Sequence, residues 1–150
     1  MTVENAYQKA LGYLSKSPKT IRQMKAYLTN KGYDPNIIEQ VIAQLSNFNY
    51  LDDRAFARQF IESRIRYNPK SVFALEFELR KKGIDPALTG ELLTAYKDED
   101  LALKAIENKK QAWRRLNESD RRKKMMNYLR YRGFNYSVCQ TVWQIFETTS

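Results

Sequence analysis

An eight-residue stretch occurs three times at a spacing of about fifty, and this recurrence constrains the fold more than any other feature of the chain. Leu28-Thr-Asn-Lys-Gly32-Tyr-Asp-Pro35 comes back as Leu79-Arg-Lys-Lys-Gly83-Ile-Asp-Pro86 and, less closely, as Leu129-Arg-Tyr-Arg-Gly133-Phe-Asn-Tyr136. Apolar residues keep register outward from the glycines. Met24, Leu75 and Met125 lie eight positions before them, Ile37, Leu88 and Val138 five after, Val41, Leu92 and Val142 nine after, and Leu45, Tyr96 and Phe146 thirteen after. A period of this length marks tandem copies of one supersecondary unit, each covering its apolar face with its neighbours. The 150 residues divide accordingly into repeats 1–50, 51–100 and 101–150.

Each repeat reads as three helices. In the first, Tyr7, Ala10, Leu11 and Leu14 share one helical face, Ile21, Met24 and Leu28 a second, and Ile37, Val41, Ile42 and Leu45 a third. Pro18 and Thr20 open the middle helix, with Thr20 and Gln23 at capping-box spacing, and Pro69 and Ser71 stand at the same place one repeat on. The recurrent glycine then fits the left-handed residue that ends a helix, and Asp34-Pro35 and Asp85-Pro86 start the next one. The predicted class is all-α: three tandem three-helix repeats, about nine helices, forming an elongated, curved module. In the third repeat Ala102, Ile106, Lys109, Trp113 and Leu116 predict one long first helix. Arg122 replaces Ile21 and Val72 there, which predicts a position moved from core to surface.

The chain contains no histidine, which removes Ser-His-Asp and Cys-His catalysis, the HExxH zinc helix and Cys/His zinc fingers. Its five glycines are too scattered for a phosphate-binding loop. No catalytic residue, cofactor or metal ligand is assigned, and the chain is read as a binding protein, not an enzyme. Asp52-Asp53 and Asp98-Glu99-Asp100 lack the glycine-interrupted spacing of a calcium loop and are expected to cap helices. Tyr67, Phe56, Phe60, Phe73 and Phe77 are assigned to packing between helices. Cys139 is alone, and its apolar surroundings predict a buried side chain. The N-terminal residues resemble no secretory signal and no stretch is apolar enough for a membrane span, so the expected setting is the cytoplasm, without a membrane.

Lys and Arg outnumber Asp and Glu by 26 to 17, and the third repeat holds most of that excess, with 11 basic residues against 4 acidic. Arg121, Lys124, Tyr128 and Arg132 share a helical face, and Arg114, Arg115 and Arg130 lie nearby. These seven residues are the candidate surface for phosphates or an acidic protein. The alternative is an ordinary solvated face. A sequence-reading helix-turn-helix is disfavoured, because residues 35–47, 86–96 and 136–147, which would have to enter a groove, contain no Lys or Arg.

Tyr50-Leu-Asp-Asp-Arg-Ala-Phe-Ala57, followed by Arg64 and by Leu79-Arg-Lys-Lys-Gly83-Ile, resembles the signature of the RecX family, bacterial modulators of the RecA recombinase. Asp52, Asp53, Phe56, Ala57, Arg64 and Gly83 match the family's motif positions. The resemblance implies a cytoplasmic, monomeric regulator acting in homologous recombination, DNA repair and the SOS response. It implies binding in the groove of the RecA–DNA filament, restraint of ATP hydrolysis and strand exchange, and contact with single- or double-stranded DNA without sequence preference. A general DNA-binding helical protein is the alternative.

Overall fold

The computed structural model describes residues 1–149, and every regular element among them is helical. The first repeat supplies α1 (Val3–Leu14), α2 (Ile21–Asn30) and α3 (Pro35–Asn47), and the second α4 (Asp53–Tyr67), α5 (Val72–Lys81) and α6 (Pro86–Leu93). The third supplies α7 (Asp98–Ala105), a 3-10 turn (Glu107–Lys109), α8 (Lys110–Arg114), α9 (Glu118–Tyr131) and α10 (Tyr136–Thr148). No described helix is long and apolar enough to cross a membrane.

Local chemistry sets the helix boundaries. Thr20 and Gln23 bond each other's backbone N–H groups in a complete capping box. Ser71 Oγ accepts from the Ala74 N–H at 3.0 Å, Asp34 and Asp85 accept from the N–H two residues on, and Asn135 caps α10. Helices α2, α5 and α9 end alike. Gly32, Gly83 and Gly133 have φ of 90°, 90° and 92°, the left-handed region that costs glycine nothing sterically. Each glycine N–H donates to the carbonyl three residues back, and the next N–H to the carbonyl five back, that of Leu28, Leu79 or Leu129. This double turn swings Tyr33, Ile84 and Phe134 inward, where all three are buried with the leucines they bond.

Backbone contacts group the chain into two compact units that cut across the repeats: residues 1–59 with 79–89, and residues 60–78 with those from 90 onward. The bonds inside each unit explain the division. In the first, Thr20 Oγ1 donates to the Lys82 carbonyl at 2.5 Å, and Asp53 accepts the Ile21 N–H at 2.9 Å. In the second, the Ser71 N–H donates to the Arg132 carbonyl at 3.1 Å, and Asp98 accepts the Val72 N–H at 2.8 Å. The same junction is thus built twice. The start of one repeat's middle helix sits on the glycine turn of the following repeat and is held by an aspartate from that repeat's first helix, where the helix dipole favours a negative charge.

Several expectations need correcting. Asp52 caps α4 through the Ala55 N–H, but Asp53 and Asp98 cap the preceding repeat's middle helix, not their own. The long helix expected over residues 102–116 is divided: Tyr128 Oη donates to the Ala105 carbonyl at 3.0 Å, satisfying a helix-end acceptor, and the 3-10 turn follows. Arg122 is half-buried, with its guanidinium 5.8 Å from the Trp143 ring centroid and donating to Gln140 Oε1. Tyr67 and Phe73 are 77% and 74% exposed and so are not packing residues, Phe77 is 50% exposed, and Phe56 and Phe60 are half-buried.

Candidate functional site

The basic residues of the third repeat fall into two groups. Arg121 opens α9 half-buried and fully engaged. Its Nε and Nη2 donate to Glu147 Oε1 at 2.9 and 2.7 Å, and its Nη1 to the Leu116 carbonyl at 2.8 Å. Arg121 therefore ties the start of α9 to the end of α10, a role that the expected exposed stripe did not include. Arg132 is also half-buried, with its guanidinium 3.6 Å from the Tyr128 ring centroid and its Nη1 on the Tyr128 carbonyl. Lys124, Arg115 and Arg130 are exposed. Arg114, also exposed, lies 5.3 Å from the Phe146 ring centroid and reaches the Thr149 carbonyl.

Tyr128 and Arg132 belong instead to the wall of a cleft of about 480 Å³, whose lining includes Arg66, Tyr67, Asn68, Lys104, Glu107 and Lys109. Three chain segments converge there: the end of α4 with the turn after it, the end of α7 with the 3-10 turn, and the end of α9. Tyr128 organises the wall. Trp113 meets its ring edge-on at 5.3 Å, Arg132 covers it, and its hydroxyl is held by the Ala105 carbonyl. Lys109 Nζ lies 5.9 Å from the same ring. Four cations thus line one cleft, against the carboxylate of Glu107, which pairs with Lys110 at 3.3 Å. Arg132 Nε is buried without a hydrogen-bond partner.

Sequence reasoning placed Tyr128 and Arg132 among candidate binding residues but missed Arg66, Tyr67, Lys104 and Lys109. The adjacent Arg66-Tyr67 at the end of a helix was the available signal; its proximity to residues 104–109 and 132 arises only in the folded chain.

The family-signature residues divide by role. Asp52 is the α4 cap, Asp53 holds α2, and Ala57 is fully buried. Arg64 donates Nε and Nη2 to Glu78 Oε2 at 3.1 and 2.8 Å, and Lys70 reaches Glu78 Oε1 at 3.0 Å. Burial pushes the Glu78 carboxyl up, but the hydrogen bonds and charges of Arg64 and Lys70 outweigh it and hold the group below the ordinary carboxylate range. At Gly83 an added Cβ would stand 2.3 to 2.8 Å from the Arg22 side chain, and at Gly133 it would stand 2.5 Å from Ser71 Oγ. Cys139 is buried as expected, and that burial pushes its thiol up.

Comparison with known proteins places this architecture. Models of the first, second and third three-helix domains of RecX match residues 6–45, 52–93 and 97–143. A protein named Regulatory protein RecX from Pelodictyon phaeoclathratiforme is 37% identical over 82% of this chain and 77% of its own length. Another of the same name, from Prosthecochloris aestuarii, is 34% identical over 95% and 91%. The crystal structure of RecX from Lactobacillus salivarius shares the fold, with a TM-score of 0.81, 20% identity and 97% of both chains covered.

Proposed function

The chain belongs to the RecX family of regulatory proteins, and from that premise we propose that it regulates the RecA recombinase by binding in the groove of the RecA–DNA filament. Bound there, it restrains ATP hydrolysis and strand exchange by favouring one arrangement of neighbouring protomers. It can do so only to the extent that it binds that arrangement more tightly than the other. The observation that carries this reading is the match of all three RecX domains along one chain. Physical features support it. Three successive copies of one unit offer a repeating partner equivalent surfaces. The cationic cleft and the exposed Lys124, Arg115 and Arg130 offer charge to exposed phosphates or an acidic protein face. The binding test is co-sedimentation of the chain with RecA filaments on single-stranded DNA, with DNA alone and RecA alone as controls. Retention by filaments above either control supports the proposal. Retention matching DNA alone would reduce the protein to a general DNA binder.

A further inference from the structure

We propose that the cleft lined by Arg66, Tyr67, Lys104, Lys109, Tyr128 and Arg132 receives an unpaired nucleotide, and that through it the chain prefers single-stranded nucleic acid to duplex. The inference rests on the reading that the chain meets DNA, and adds the site and the strand class.

Three independent features point to this occupant. The first is charge: Arg66, Lys104, Lys109 and Arg132 line one concavity whose carboxylate, Glu107, is already paired with Lys110. Cations gathered in this way attract an anion and release counterions when a phosphate replaces them. The second is the unmet donor. Arg132 Nε is buried without an acceptor, and buried polar groups in folded proteins nearly always have one. The Arg132 side chain would have to turn this donor toward the cleft for a ligand oxygen to accept from it.

The third feature separates a nucleotide from a simple anion. Tyr67 lines the cleft with 77% of its surface exposed, beside the Arg66 guanidinium at 5.9 Å. An exposed ring next to cations that hold a phosphate is the platform on which single-stranded sites stack a base. The volume of about 480 Å³ falls within the ~300–1,000 Å³ typical of small-ligand sites. In a duplex the bases are paired and stacked, so only phosphates remain for the cleft and Tyr67 stays empty. An acidic peptide would use the cations and equally leave Tyr67 without a partner.

The test uses the full chain with a short fluorescein-labelled oligodeoxythymidine and a hairpin duplex, read by anisotropy across a salt series, with folding checked by circular dichroism. Tyr67→Ala should weaken single-strand binding roughly tenfold, the scale of one lost stacking platform, and leave duplex binding within about twofold. Lys109→Glu should weaken single-strand binding and flatten its salt dependence, whereas Lys25→Glu, the same charge change on the outside of α2, should not reproduce the strand preference. Photo-crosslinking with iodouracil in place of one thymine should label Tyr67. If the parent binds oligonucleotide and Tyr67→Ala binds it equally, the site is overturned while the DNA reading stands. If the parent binds no oligonucleotide yet is retained by filaments, direct nucleotide capture fails and regulation through RecA stands. If the cleft variants lose RecA without DNA but keep the oligonucleotide, the occupant is an acidic protein segment and the inference is overturned.

Discussion

Replacing each repeat glycine with alanine should rank the three sites in an order that follows from the junctions. All three have φ near +90°, so each alanine suffers the same left-handed strain of ~1–2 kcal/mol. What differs is the space. At Gly32 the nearest atom to an added Cβ is Met1 Cε at 3.5 Å, an ordinary contact. At Gly83 the same Cβ would lie 2.3, 2.4 and 2.8 Å from Arg22 Cδ, Cβ and Cγ. Arg22 Cβ is fixed to the α2 backbone, so that helix has to shift, and overpacking of this kind adds ~1–3 kcal/mol. Gly32→Ala should therefore cost ~1.5 kcal/mol and Gly83→Ala ~3.5 kcal/mol. With a Tm shift of ~2–4 °C per kcal/mol for a chain of this size, the expected drops are ~3–6 °C and ~7–14 °C. Gly133→Ala should resemble Gly83→Ala, because its Cβ would strike Ser71 Oγ at 2.5 Å and dislodge the α5 cap. Thermal melts by circular dichroism measure all three. Shortening Arg22 to Ala in the Gly83→Ala background should recover part of this loss at most, because it removes Cγ and Cδ but keeps the Cβ at 2.4 Å. Equal Tm shifts at all three glycines would refute the junction geometry.

Asp53→Ala and Asp98→Ala should each lower stability by ~1–2 kcal/mol, the usual loss of a helix-terminal acceptor, and a change below a few tenths in denaturant melts would count against the paired junctions. Arg121→Gln should cost ~1–3 kcal/mol by leaving Glu147 and the Leu116 carbonyl without their donor, while Lys124→Gln stays within ~0.5 kcal/mol. Because Glu78 is depressed in the folded chain, its contribution is present above the ordinary glutamate range and is lost as pH falls through its lower folded value; a pH series of melts should show this acid loss shrinking in Glu78→Gln. Cys139 should ignore an aromatic disulfide reagent in the native chain and react on denaturation.

What could be read from the chain before its structure was mostly local. A glycine with positive φ, a Thr-x-x-Gln box and an Asp-Pro start are each enforced within a few residues, so Gly83, Thr20 and Asp85 revealed their roles directly. Periodicity failed where two apolar stripes share one helix. On α5, Leu75 and Leu79 are buried while Phe73 is 74% exposed, and spacing alone does not choose between them. The junctions were hidden because Asp53 bonds a group 32 positions away, and the repeated aspartates made helix caps the natural reading. Arg121 looked like a free charge for the same reason, with Glu147 lying 26 residues on. The cleft was least legible, since three segments separated in sequence supply its cations and its exposed ring.

Regulation of RecA is tested most directly by the ATPase rate of preformed RecA filaments on single-stranded DNA as the chain is added, followed by a chase of free single-stranded DNA. Hydrolysis should fall and level off at fewer chains than RecA protomers, and should stay lowered after the chase, because the filament offers protein and DNA contacts together whereas a free strand offers only one. Full recovery of hydrolysis in proportion to the free DNA would contradict the regulatory reading and leave a chain that merely competes for DNA.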